Sequence, residues 1–84
     1  MQFHRFDLNL LIALDTLLRE KNITRAAEKV FVSQPAMSAA LHRLRDYFDD
    51  PLLVRVGRDM ELSPRGQSLV DPVREALLLI QATL

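Results

Sequence analysis

Asn22-Ile23-Thr24-Arg25-Ala26-Ala27-Glu28-Lys29-Val30-Phe31-Val32-Ser33-Gln34-Pro35-Ala36-Met37-Ser38 decides the fold of this chain. Asn22-Ile23-Thr24 can cap a short helix, predicted over residues 25–30, whose Ala26, Ala27 and Val30 face one way. Ser33 reads as the N-cap of a second helix, and Pro35 falls in its first turn, where a missing N–H is harmless. That helix is predicted to run from Gln34 to about Phe48. At about 100° per residue, Met37, Ala40, Leu41, Leu44 and Phe48 share one face. The opposite face carries Pro35, Ser38, Ala39 and His42, with Arg43 and Arg45 on its flanks. A solvated face would carry Glu and Lys; small, weakly polar residues suit close approach to another surface.

Upstream, Asp7 is the natural N-cap of a helix through Leu8-Asn9-Leu10-Leu11-Ile12-Ala13-Leu14 and onward to Lys21. Its apolar positions cover more than one stripe, so it needs two partners, and a second subunit is one candidate. Downstream, Asp49-Asp50-Pro51 ends the second helix of the pair. Leu52-Leu53-Val54-Arg55-Val56, Gly57-Arg58-Asp59 and Met60-Glu61-Leu62 read as a hairpin turning at Gly57. Ser63-Pro64 then opens a last helix, with Ser as cap and Pro as first residue. Val70, Val73, Leu77, Ile80 and Leu84 recur along it with the spacing of a packing seam, and Pro72 should kink or restart it. The chain stops while still apolar, which reads as a piece of a longer protein.

Composition narrows the function. The 84 residues carry 11 Lys+Arg against 11 Asp+Glu, are 49% hydrophobic and contain no cysteine. One small domain with a core is the expectation, without disulfides, thiolate metal sites or a cysteine nucleophile. No apolar run approaches the ~20 residues that span a bilayer. Asp7 interrupts the start where a signal peptide would be apolar, so a cytoplasmic domain is expected. The zero net charge hides an asymmetry: between residues 21 and 45 the cations Lys21, Arg25, Lys29, Arg43 and Arg45 face one acid, Glu28. Catalysis finds no footing. His4 and His42 have no H-E-x-x-H spacing, and two glycines make no phosphate loop. Asp46, Asp49 and Asp50 fit no calcium loop. A helical protein-interaction adaptor is one class that composition leaves open.

Two short helices joined by a tight turn and followed by a hairpin make a mainly α fold, a winged helix-turn-helix of three helices plus a two-stranded wing. Ala27, Val32, Met37 and Ala40 occupy the apolar positions such a unit needs. The second helix of the pair would lie in the major groove while the first braces on the backbone.

The stretch quoted at the outset resembles the signature of LysR-type transcriptional regulators, Ala26-Ala27…Ser33-Gln34-Pro35-Ala36…Ser38 above all. Leu53-Val54-Arg55, Gly57-Arg58 and Leu62-Ser63-Pro64-Arg65-Gly66 resemble that family's wing and the start of its linker helix. Asp7-Leu8-Asn9-Leu10-Leu11 and Val73-Arg74-Glu75-Ala76-Leu77 are most similar to the branch of nodulation regulators and aromatic-catabolism activators. Phe31 stands where many other helix-turn-helix proteins have Gly, and its bulk implies an apolar turn that is not left-handed. The resemblance implies a DNA-binding domain over residues 1–63, a linker and dimerisation helix over 64–84, and an effector domain absent here. It implies double-stranded DNA as partner, a homodimer through the last helix, a higher oligomer in the full-length protein and no membrane. No cofactor is expected in this chain, a small-molecule inducer belonging to the effector domain.

Wheel and resemblance together name the candidate DNA-binding residues. Gln34, Pro35, Ser38, Ala39, His42 and Arg43 would form the groove-facing surface, with Ser33 at the helix start also counted among the DNA-binding residues. Gln34 can read adenine, Ala36 and Ala39 offer methyls to thymine, and Ser38 reaches a base or phosphate. Thr24 and Arg25, near a helix N-terminus, would hold phosphate by hydroxyl, amide and guanidinium. Arg55 and Arg58 would take phosphate or enter the minor groove from the wing. Val70, Val73, Leu77, Ile80 and Leu84 would form the dimer seam. Plainer roles stand beside these: Gln34 and Pro35 as parts of the helix start, His42 as a solvated histidine, Arg43 and Arg45 as partners of Asp46 or Asp49. The lesser alternative for the Val70-to-Leu84 stripe is packing on its own domain.

Overall fold

The computed structural model describes residues 6–84; the reading of residues 1–5, His4 among them, lies outside the described residues. The elements run α1 Leu8–Glu20, α2 Ile23–Lys29, α3 Gln34–Phe48, β1 Leu53–Val56, β2 Asp59–Leu62 and α4 Pro64–Thr83. Side-chain caps open every helix. Asp7 accepts from the Leu10 amide at 2.7 Å, Asn22 from Arg25 at 2.8 Å, Ser33 from Ala36 at 3.2 Å and Ser63 from Gly66 at 3.0 Å. Each such cap stabilises its helix by about 0.5–2 kcal/mol. Because Asn22 is the cap, α2 starts at Ile23, two residues before the sequence-based expectation.

The turn between α2 and α3 differs from expectation. Phe31 has φ +59° and is therefore left-handed, and the residue is 94% exposed. The cause is the helix ending: Phe31 N–H donates to Glu28 C=O at 3.3 Å and Val32 N–H to Ala27 C=O at 3.0 Å. That pairing demands a left-handed residue between them, whatever its size. Val32, half out of the surface, does not reach the core either.

α1 is the centre of the core. Its Leu10, Ala13, Leu14, Leu17 and Leu18 are buried among Ala26 and Ala27 of α2, Met37, Leu41 and Leu44 of α3, and Val73 of α4. The small side chains Ala26 and Ala27 let α2 lie close on its neighbours. The second apolar face of α1 is covered by α4 of the same chain, so no second subunit is needed there. Of the seam positions, Val73 is 6% exposed within its own core, with Val70 and Leu77 half-buried against it. The remaining stripe positions divide: Ile80 is half-buried and Leu84 is 95% exposed. The core therefore does not stop at residue 63. Pro72 neither ends α4 nor restarts it; the helix continues through it to Thr83.

The wing is an antiparallel pair with Leu53 opposite Leu62 and Val56 opposite Asp59, leaving Gly57-Arg58 as a two-residue turn. Gly57 has φ +63°, the left-handed first central position of a II′ turn. A network joins α3, wing and α4. Arg45 donates to the carbonyls of Pro51 and Leu53, both at 2.8 Å. Asp50 accepts from the Leu52 amide at 2.8 Å and the Ser63 hydroxyl at 2.6 Å. Arg45 thus belongs to the joint, neither to the outer flank nor to Asp49.

Candidate nucleic-acid interface

α3 is held by Met37, Leu41 and Leu44 in the core, which turns Pro35, Ser38, Ala39 and His42 outward, all exposed. The outer face is a ridge with a groove on either side. On the wing side, a groove of about 400 Å³ gathers Lys21, Thr24, Arg25, Gln34, Arg55 and Arg58, with Asp59 also in its lining. Residues more than thirty positions apart in sequence are thereby brought together, four of them cations against one acid. On the α1 side, a groove of about 530 Å³ is lined by apolar Ile12, Val30, Val32 and Met37, and by Ala36 and Arg43. Gln34 and Arg43 therefore face opposite sides of the ridge.

Local bonding decides what each candidate can offer. The Ser33 hydroxyl caps Ala36, and the Ser33 carbonyl accepts from Met37 N–H at 3.0 Å. The Gln34 amide side chain is free of such duties among the described hydrogen bonds. Arg25 is less free. Its backbone N–H is spent on Asn22. Its guanidinium lies 3.9 Å from the Glu20 carboxylate while remaining well exposed. Arg43, Arg55 and Arg58 form no ion pair among the described residues and project into solvent. His42 Nε2 stands 3.7 Å from Asp46 one turn on, both exposed. A carboxylate at that point repels phosphate, so the approachable part of α3 is its first two turns.

Sequence reasoning missed Lys21 and Asp46 as members of this surface. Lys21 closes α1 with φ +53° and lines the wing-side groove; its place in the basic stretch 21–45 was its signal in the sequence. Asp46 follows His42 by one turn, a spacing the helical wheel contains. Among the described residues no cluster of metal-ligating side chains forms, and no helix is long and apolar enough to cross a membrane.

Comparison with known proteins agrees with this geometry. The family model for bacterial regulatory helix-turn-helix proteins of the lysR family matches residues 8–67. Nodulation protein D of Bradyrhizobium sp. (strain ANU 289) is 55% identical over all 84 residues, which make up 25% of that protein. Nodulation protein D 1 of Rhizobium tropici is also 55% identical over the whole chain, here 27% of the relative. The chain spans about a quarter of the length of these curated relatives. Among solved structures, a probable transcriptional regulator from Pseudomonas aeruginosa superposes with a TM-score of 0.88 at 40% identity, over 96% of this chain and 27% of that one. The BenM DNA-binding domain in complex with catB site 1 DNA superposes with a TM-score of 0.84 over 93% of this chain and 88% of that one. At 23% identity that second likeness is one of fold.

Proposed function

Because the chain belongs to the LysR family of bacterial regulatory helix-turn-helix proteins, a family of regulators and not of enzymes, we propose that it reads double-stranded DNA sequence-specifically for a transcription regulator. In this reading the first two turns of α3 enter the major groove, and the wing rests on the adjoining backbone or minor groove. The observation that carries it is the wing-side groove, where Gln34, a base reader by its amide, shares a cavity with Arg55, Arg58, Arg25 and Lys21. Cations beside an uncharged ridge separate phosphate positioning from base reading, as DNA recognition requires. The two relatives that carry the name Nodulation protein D, 55% identical over the chain, support a place in the nodulation-regulator branch.

Dimerisation through the last turns of α4 belongs to the same proposal. Leu78, Leu79 and Leu84 are exposed there, at 50%, 69% and 95%, where a lone helix would leave apolar surface in water. A two-fold pair would present two α3 helices to half-sites one helical turn, ~10 bp, or a multiple apart. A higher oligomer, a cytoplasmic location and a small-molecule inducer acting through an effector domain outside these residues complete the reading, with no cofactor serving this chain.

One titration at several salt concentrations tests it. Gln34→Ala and Ser38→Ala should each cost about 1–3 kcal/mol on the preferred site and less on random DNA. Arg55→Ala and Arg58→Ala should weaken both DNAs alike and reduce the salt slope by ~1 each. Equal loss on both DNAs for Gln34 and Ser38, with an unchanged slope for the arginines, would dismiss the interface.

A further inference from the structure

Among the described residues Asp15 is the one carboxylate buried in the core, its side chain 6% exposed, and both its close cationic partners reach the same oxygen. Arg19, one turn along α1, lies 3.2 Å from Oδ2; Arg74, from α4, donates to Oδ2 at 3.2 Å. Arg19 alone satisfies the charge within α1. Arg74 adds a tie across the core between residues 59 positions apart. Its place on α4 matters. Pro72, two residues earlier, has no N–H, so the helical ladder lacks a rung there and the helix bends most easily at that point. Behind Pro72 the start of α4 is fixed by Ser63 and by the close seat of Gly66 on the Leu52 backbone. Beyond it only Val73 is buried; the remaining residues are half-buried or exposed.

We infer that the Asp15–Arg74 pair is a positioning device that fixes the direction of α4 beyond Pro72 and thereby selects the half-site spacing the dimer accepts. The inference rests on the dimeric reading proposed above. From Val73 to Thr83 the helix is roughly 16 Å long at 1.5 Å per residue. A bend of about 10° at Pro72 in each of two subunits changes their separation by up to about 6 Å, on the order of two base-pair steps of ~3.4 Å. Apolar packing at Val73, and at the half-buried Leu77 one turn on, is less directional than a hydrogen bond and lets the helix tilt. A charged hydrogen bond anchored on a buried carboxylate resists that tilt.

The test is affinity for a series of operators whose two half-sites are moved by one and two base pairs either way, with an isolated half-site beside them. The parent should lose about tenfold or more off its best spacing, because avidity fails when geometry forbids both contacts. Arg74→Gln leaves Arg19 on Asp15 and should fold. It should flatten the spacing profile to within about threefold while leaving half-site affinity unchanged, the loss being one of avidity. Arg74→Lys should restore the preference, and Arg19→Gln should keep it. Pro72→Ala added to Arg74→Gln should also restore it, by returning the missing rung. A parent-like profile for Arg74→Gln, or a loss in Arg19→Gln of the same size, overturns the inference while the dimeric reading stands. Should Arg74→Gln not fold, Arg74→Met, which removes the charge and keeps the length of the side chain, is read in its place: a flattened profile supports the inference and a parent-like one overturns it. A parent with no spacing preference removes the dimeric reading and this inference together.

Discussion

Asp50 shows how much one side chain can join. It accepts from the Ser63 hydroxyl and the Leu52 amide, while the same hydroxyl accepts from Gly66 N–H. The carboxyl is held below its ordinary value, first by the Ser63 hydroxyl, then by the Leu52 amide, with Arg65 adding a smaller pull. A carboxylate whose folded pKa is depressed adds stability that is present above the unfolded value, ~3.9, and is lost as pH falls through the folded value. Asp50→Asn keeps the shape and removes the charge. The urea midpoint of the parent should therefore exceed that of Asp50→Asn at pH 6, and the gap should narrow below about pH 4. A gap of constant size from neutral pH into acid would mean that the ionised form contributes nothing. Phe31 makes the opposite point about single residues: the turn imposes a left-handed conformation on a bulky side chain and gives it no burial in return.

Among elements, α4 has the most exacting seat. A Cβ at Gly66 would lie 2.5 Å from the Leu52 carbonyl oxygen and 3.4 Å from its carbon, both backbone atoms that cannot rotate aside. Two effects compete in Gly66→Ala. Ala favours a helix interior over Gly by about 1 kcal/mol. Overpacking against fixed atoms costs about 1–3 kcal/mol, and Leu52 is itself buried with φ +62°, so it has little room to retreat. Strain wins in this balance. Gly66→Ala should lower stability in urea unfolding, whereas an unchanged or higher midpoint would show that the wing yields easily. The joint also explains why wing and α3 hold a fixed relation: Arg45 binds the carbonyls on both sides of Leu52.

At the scale of the whole molecule, specific binding should depend on a second copy although no groove-facing residue lies in α4. One small DNA-binding module buries only ~600–1,000 Å², and linking two raises avidity by ~10²–10⁴ without new base contacts. Leu77 is a poor probe of this, because it packs against its own core. Leu79 is 69% exposed, so Leu79→Glu should leave the fold intact and yield a monomer. Affinity for the two-half-site operator should then fall by on the order of 10²-fold, with the isolated half-site nearly unaffected. Sedimentation and titration on both DNAs decide it. A demonstrably monomeric variant that binds the full operator as tightly as the parent would separate dimerisation from recognition.

What can be read without the structure is what local chemistry controls. Asp7, Ser33 and Ser63 announce helix starts because a cap bonds to an amide three residues on, and Gly57 announces the hairpin because its turn needs a left-handed residue. The outward set Pro35, Ser38, Ala39 and His42 follows from the 3.6-residue period alone, and the resemblance carried by residues 22–38 names the family. Periodicity says that a face is apolar, not what covers it. Val70, Val73 and Leu77 have the spacing of a seam between subunits, yet only packing reveals that Val73 is buried in the core of its own chain with Val70 and Leu77 half-buried against it. Arg45 and Arg55 look alike in sequence. Tertiary structure commits one to the Pro51 and Leu53 carbonyls and leaves the other facing the wing-side groove, because hydrogen-bond partners brought close by folding have no signature in spacing. The groove itself, joining the end of α1, the start of α2, Gln34 and the wing, exists only once four elements have packed around one core.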